Sequence, residues 1–133
     1  VRPLHEIASG GELSRIMLAI KSILADEEGI ETLIFDEIDT GISGRTAQKV
    51  SERLACIAKK RQVIAITHLP QIAAMADSHY LIEKTSDANS TISNIYQLSE
   101  EESIKELARM LGGVKITEAV LQNAREMRAL AKQ

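Results

Sequence analysis

Two short aliphatic runs, TLIF at Thr32–Phe35 and QVIAIT at Gln62–Thr67, constrain this chain more than anything else in it. Both have strand length, and both are continuously apolar rather than alternating, as strands of a buried parallel sheet are. Between them, Arg45 to about Lys60 carries Ala47, Val50, Leu54 and Ile57 at helical spacing. Strand, helix and strand in that order predict a parallel pair joined by a right-handed crossover, and hence an α/β fold.

The remaining segments fit around that unit. From Glu12, a helix with Leu13, Ile16, Met17, Ile20, Ile23 and Leu24 on its apolar stripe is predicted to run to Gly29, with Arg15, Lys21 and Asp26 falling off the stripe. Beyond the second strand, Pro70–Ala76 reads as a short helix. Tyr80–Glu83 and Thr91–Leu98 read as an antiparallel hairpin about the polar turn SDANS. Two more helices, Glu100–Leu111 and Thr117–Lys132, are separated by Gly112 and Gly113. There is no internal repeat and no low-complexity tract. The expectation is a single domain with a largely parallel sheet flanked by helices and a small antiparallel hairpin.

Composition excludes several classes of function. With 133 residues, 44% hydrophobic and 26% charged, the chain can bury a modest core. Its aromatic residues are Phe35, Tyr80 and Tyr96, too few for stacking platforms that hold single-stranded nucleic acid. A formal charge of -3, from 16 basic and 19 acidic residues, argues against a domain devoted to neutralising phosphate backbones. The short run Lys59, Lys60, Arg61 reads as a solvated helix end. Cys56 stands alone within a helical pattern and reads as a buried bystander in a reducing compartment. No apolar run approaches the roughly 20 residues of a membrane span, and no signal peptide is visible.

Three motifs carry chemistry. In ASGGELSR, Ala8–Arg15, a serine three residues before a glutamate forms a capping-box pattern, but capping does not explain Gly10 and Gly11. In TLIFDEIDTGISG, Thr32–Gly44, Asp36 and Glu37 end a strand at the carboxyl edge of the sheet, where α/β crevices bind ligands. One carboxylate there can hold Mg²⁺ and a second can activate a water. The same pair also fits a strand that simply exits to solvent. In AITHLPQIAAMAD, Ala65–Asp77, His68 follows the neighbouring strand and reaches the same edge.

SGGE at a helix start, an apolar strand ending in Asp-Glu with a D-x-G loop, and a strand ending in Thr-His resemble the carboxyl-terminal lobe of an ABC-type ATPase head. Within that class the segments ELSR, IDTGISG and THLPQIAAMAD, with ARMLGG at Ala108–Gly113, are most similar to the SMC-like ATPases of bacterial DNA repair. The resemblance covers nearly the whole chain. It implies that Ser9, Gly10, Gly11 and Glu12 form the signature that contacts the γ-phosphate of ATP held by an opposing head. It further implies that Asp36 supports Mg²⁺, that Glu37 is the general base and that Asp39 belongs to the loop joining two active sites. His68 becomes the switch histidine that senses the γ-phosphate. Gly10 and Gly11 would then leave room for a phosphate at the helix N-terminus. Ala8 departs from the family pattern, which has leucine there.

No G-x-x-x-x-G-K-[ST] occurs in the sequence, so the loop that wraps the β- and γ-phosphates is not in this chain. The resemblance places that Walker A loop and a nucleotide-contacting glutamine in an amino-terminal lobe beyond a long coiled coil. A start at Val1, directly before a motif, suggests an excised lobe that binds ATP poorly and does not hydrolyse it alone. The implied partners are a second head bound through ATP, the chain's own amino-terminal lobe and DNA, in the cytoplasm at the nucleoid and without a membrane. Two alternatives are a non-catalytic head-to-head or protein-interaction module and the nucleotide-binding domain of an ABC transporter, whose signature usually carries glutamine after SGG.

Overall fold

The computed structural model of the chain describes residues 8–24, 29–87, 90–113 and 115–132. In chain order its elements are α1 (Gly10–Leu24), β1 (Thr32–Phe35), α2 (Gly44–Ala58), β2 (Gln62–Ala65), α3 (Pro70–Ala74), β3 (Tyr80–Asp87), β4 (Ser90–Gln97), α4 (Glu100–Gly112) and α5 (Glu118–Ala131). They fall into two compact units, Val1–Met75 and Ala76–Gln133.

In the first unit β1 and β2 pair in parallel, with Thr32 opposite Gln62 and Phe35 opposite Ala65. Backbone bonds from Gln62 N to Glu31 O (2.9 Å) and from Ile66 N to Phe35 O (3.0 Å) extend the ladder at both ends. One face of this pair is covered. Leu33 and Phe35 join Leu18 of α1, Val50, Leu54 and Ile57 of α2, Ile72 of α3 and the wholly buried Ile38 in a single core cluster. The continuous apolar run therefore does not mean burial on both faces here: Ile34, on the opposite face of β1, is 67% exposed, and Ile64 and Ile66 are exposed as well.

Helix α1 departs from its expected orientation. Its buried residues are Gly11 and Leu18, whereas Ile16, Met17, Ile20, Ile23 and Leu24 are exposed. Leu18 and Gly11 lie across the helix from that stripe, on the side that also carries Ser14 and Ser22, so hydrophobic spacing pointed to the face that is left exposed and not to the one that packs. Its expected last residues and Asp26 lie outside the described ones. Cys56 is exposed, not buried: α2 turns Val50, Ser51, Leu54 and Ile57 inward, and position 56 falls on the other side. The basic run at the end of α2 is also more than a solvated tip, because the Arg61 guanidinium donates to the Ile30 carbonyl before β1.

The second unit holds the antiparallel hairpin and two packed helices. Tyr80 pairs with Gln97, Ile82 with Ile95 and Thr85 with Ile92. The ladder continues on β3 to Asp87, past the expected end at Glu83, since main-chain pairing does not require apolar side chains; the middle of the expected turn lies outside the described residues. Helix α4 starts at a full capping box, in which Ser99 N and Oγ donate to Glu102 Oε2 (2.8 and 2.7 Å) and Glu102 N donates to Ser99 Oγ (3.3 Å). Leu107, Ala108 and Ala124 are fully buried where α4 meets α5.

Arg128 of α5 is only 4% exposed. Its guanidinium donates twice to Glu100, at 3.1 and 3.2 Å, and once to the Ala76 carbonyl at 2.5 Å. Lys132 adds a contact to Glu100 at 2.8 Å, and the Arg128 bonds, followed by that from Lys132, lower the Glu100 carboxyl to about 2. Among the described residues, no helix is long and apolar enough to cross a membrane.

Candidate functional site

The residues singled out in the sequence gather in the first unit. The expected cap at α1 is present: Ser9 N and Oγ donate to Glu12 Oε2 at 2.8 and 3.0 Å, and Glu12 N donates back to Ser9 Oγ at 3.4 Å. These bonds from Ser9 hold the Glu12 carboxyl below its ordinary range. Leu13 N closes the first helical turn on Ser9 O at 3.0 Å.

The glycines after Ser9 face the loop that follows β1. A Cβ on Gly11 would lie 2.8 Å from Thr40 O and 2.9 Å from Glu37 O, closer than real Cβ atoms approach backbone oxygens. A Cβ on Gly10 would collide with Glu37 Oε2, the mobile end of a side chain. Gly11 thus lets α1 dock against main chain, and Gly10 leaves room for a carboxylate. That local reason stands beside the phosphate clearance expected from the sequence.

Asp36 and Glu37 emerge at the carboxyl end of β1 with exposed side chains, and Glu37 N donates to Asp36 Oδ1 at 2.9 Å. Glu37 has φ of 56°, in the left-handed region, and is the one such non-glycine among the described residues. For a residue without Asn or Gly character this conformation costs on the order of 1–3 kcal/mol and persists where surrounding structure enforces it. The enforcement is visible in the next residues. Ile38 is wholly buried and Asp39 is 3% exposed, so the chain dives into the core immediately after Glu37.

Asp39 is the internal anchor of the site. Its Oδ2 accepts from Thr67 Oγ1 at 2.6 Å and from His68 N at 2.8 Å, and lies 3.0 Å from His68 Nδ1. Burial pushes this carboxyl up, but the bonds from Thr67 and His68 outweigh it and hold it below its ordinary value. Thr67 Oγ1 in turn accepts from Leu69 N at 3.0 Å, fixing the chain as it leaves β2. The imidazole of His68 remains 71% exposed, with its Nδ1 edge turned to Asp39. One buried carboxylate therefore ties the loop after β1 to the loop after β2.

Sequence reasoning missed three contributors: Ser14, Arg15 and Thr67. Ser14 Oγ donates to Asp36 O at 2.9 Å, and Arg15 Nη1 donates to Ile38 O at 3.2 Å and to Thr40 O at 2.8 Å. Hydrophobic spacing had set Arg15 aside as a position off the apolar stripe. A polar side chain early in a helix that precedes an acidic loop was the available signal. Arg15 and Glu12 also border, with Ala8, Ile16 and Ala19, a shallow surface cavity of about 450 Å³.

The donor set suits a hard cation only in part. Asp36 offers carboxylate oxygens of the kind Mg²⁺ takes together with phosphates and retained waters, and no group of three or more His, Cys, Asp or Glu that could hold a metal occurs among the described residues.

No protein-family model matches the chain. Curated relatives do. DNA repair protein RecN of Halalkalibacterium halodurans is 47% identical over 98% of the chain, that of Bacillus subtilis 44% over 100%, and that of Rickettsia conorii 50% over 93%. The chain belongs to the RecN family. It spans 23% of the length of each of these RecN proteins. A solved structure from work on ATP-driven dimerization and DNA-stimulated activation of SMC ATPases superposes with a TM-score of 0.58, at 24% identity, over 83% of this chain and 66% of its own. That likeness establishes the fold, an α/β lobe of the SMC ATPase type.

Proposed function

We propose that this chain is the carboxyl-terminal lobe of an SMC-like ATPase head that acts in DNA double-strand-break repair and recombination. The observation that carries the reading is the buried Asp39 carboxylate, which links the loop bearing Asp36 and Glu37 to His68 at one edge of the parallel sheet. The relatives' name, DNA repair protein RecN, and the SMC ATPase neighbour supply the process and the nucleotide.

In this reading each residue has a separate task. Ser9, Gly10, Gly11 and Glu12 present the free N–H groups at the start of α1 to the γ-phosphate of ATP on a second head. Glu37, exposed and held in its left-handed turn, orients a water and takes its proton as the water attacks phosphorus. His68 directs its outer ring edge to a γ-phosphate oxygen while Asp39, 3.0 Å from the inner edge at Nδ1, holds the ring in place. Asp39 itself stays inside its own head, so contacts of its loop with a second head fall to the neighbours of Asp39. Mg²⁺, held through Asp36, would offset negative charge on the phosphates when bound.

The Walker A loop belongs to the amino-terminal lobe, whose docking would cover the exposed Ile34, Ile64 and Ile66 of the sheet. The decisive experiment is co-expression of this chain with that lobe. ATP hydrolysis and ATP-dependent dimerisation should appear together, and Glu37→Gln should abolish turnover while trapping the ATP-bound dimer. Dimerisation indifferent to nucleotide would favour a non-catalytic interaction module instead.

A further inference from the structure

We propose that Arg15, assisted by Ser14, is a positioning residue for hydrolysis: it holds the 36–40 loop in the shape that aims Glu37 and Asp39. The proposal rests on the ATPase reading above and concerns residues to which that reading gives no role.

The argument is an account of the loop's carbonyls, since each must find a donor or water. Five consecutive carbonyls, from residue 36 to residue 40, all have donors. Glu37 O accepts from Thr40 N at 3.1 Å and Asp39 O from Ile42 N at 3.3 Å, so the loop's own turns satisfy two of them. The other three are met by α1: Asp36 O by Ser14 Oγ, and both Ile38 O and Thr40 O by a single nitrogen, Arg15 Nη1. Alternate carbonyls of the loop are therefore satisfied from outside by two adjacent helix residues.

This arrangement explains how Glu37 is kept in an unfavourable backbone conformation. Gly11, one turn before Arg15, sits against Glu37 O and Thr40 O, so helix and loop interlock on both sides of the same turn. Ser9 and Glu12, which would face a phosphate, begin the helix that carries Ser14 and Arg15. A shift at the start of α1 on phosphate contact is thereby passed to the peptide units next to Glu37 and Asp39.

The test uses the full-length protein and three variants. Arg15→Met keeps an unbranched stem without donors, whereas Arg15→Lys keeps several N–H donors on one nitrogen. If Arg15 aims the loop, kcat for ATP in Arg15→Met falls at least about tenfold, towards the roughly hundredfold that a 1 Å misplacement costs, with KM within about twofold of wild type. Arg15→Lys recovers part of that loss, and Ser14→Ala shows a smaller loss of the same kind. Equal behaviour of the Met and Lys variants would show that the stem alone matters and would overturn the proposal, as would unchanged kcat in Arg15→Met. If Arg15→Met fails to fold, Ser14→Ala and Arg15→Lys decide: wild-type kcat in both refutes the role. Failure of the ATPase reading looks different, because Glu37→Gln would then leave turnover unchanged.

Discussion

His68 Nδ1 lies 3.0 Å from Oδ2 of Asp39, a carboxylate that also accepts from Thr67 Oγ1 and from the His68 backbone N–H. Two donors and an imidazole nitrogen from one short segment thus converge on one buried oxygen 28 and 29 residues away in sequence. Asp39→Asn keeps the shape but loses the charge and turns one terminal acceptor into a donor. It should lower stability by about 1–3 kcal/mol, the range for a disrupted buried polar group, as read from the urea midpoint. In the full-length protein it should reduce kcat through misaligned His68, and His68→Ala combined with it should add little further loss in kcat.

Gly10 and Gly11 should separate by experiment. Gly11→Ala forces a Cβ onto backbone oxygens and should cost about 1–3 kcal/mol through overpacking. Gly10→Ala meets only the end of the Glu37 side chain, which can swing away. Its effect on the urea midpoint should be neutral or slightly stabilising, since alanine is favoured over glycine in helices by up to about 1 kcal/mol. Turnover of the full-length protein should still fall, because the carboxylate that moves is Glu37.

Acid should weaken the second unit in two stages. His79 Nδ1 sits 2.7 Å from Ser103 Oγ; burial lowers its proton affinity below the ordinary 6.5, nearby Glu106 opposes this, and Arg128 adds to it. A depressed histidine favours the neutral form in the folded state, so its contribution is complete above pH 6.5 and is lost as pH falls. Glu100, lowered from 4.5 to about 2, contributes above pH 4.5 and loses that contribution between there and pH 2. With the carboxylate half-exposed, the second stage is worth about 1 kcal/mol after solvent screening. Urea midpoints measured from pH 8 to pH 2 should show the early stage vanish in His79→Gln and the late one in Glu100→Gln.

The cap of α4 offers a local control. Ser99→Ala removes an oxygen that accepts from Glu102 N and donates to its carboxylate. The expected loss is about 1 kcal/mol, the typical value for an N-cap serine, with no change in ATP turnover of the full-length protein. A fall in turnover without a fall in the urea midpoint would contradict this.

Much of the fold was legible because hydrophobic spacing reports backbone periodicity directly. Thr32–Phe35 and α2 stand within a residue or two of their expected limits. Spacing fails where the apolar stripe of a helix is not the side that packs: α1 leaves Ile16, Met17 and Ile20 exposed and buries Gly11 and Leu18 on the other side. It also fails for polar strand residues, as at Lys84 to Asp87, where the ladder runs on through main-chain bonds. In the site, SGGE, Asp36, Glu37 and His68 stood out by residue type and neighbours. Arg15 and Thr67 did not, because their partners are backbone carbonyls and a carboxylate distant in sequence. The burial of Asp39 was equally unreadable, since it follows from the inward path of Ile38.

Arg128 joins Ala76 and Glu100 across 52 and 28 positions of chain, whereas the ties around Asp39, Thr67 and His68 are complete once α3 has been made. Synthesis on the ribosome runs in that same direction. The first unit can therefore settle while the hairpin and α4 still await α5, and the interval between the two is the time taken to translate and extrude residues 76 to 128. Nascent chains arrested before Arg128 should accordingly be cut by protease within the hairpin and α4, and chains arrested well after it should not.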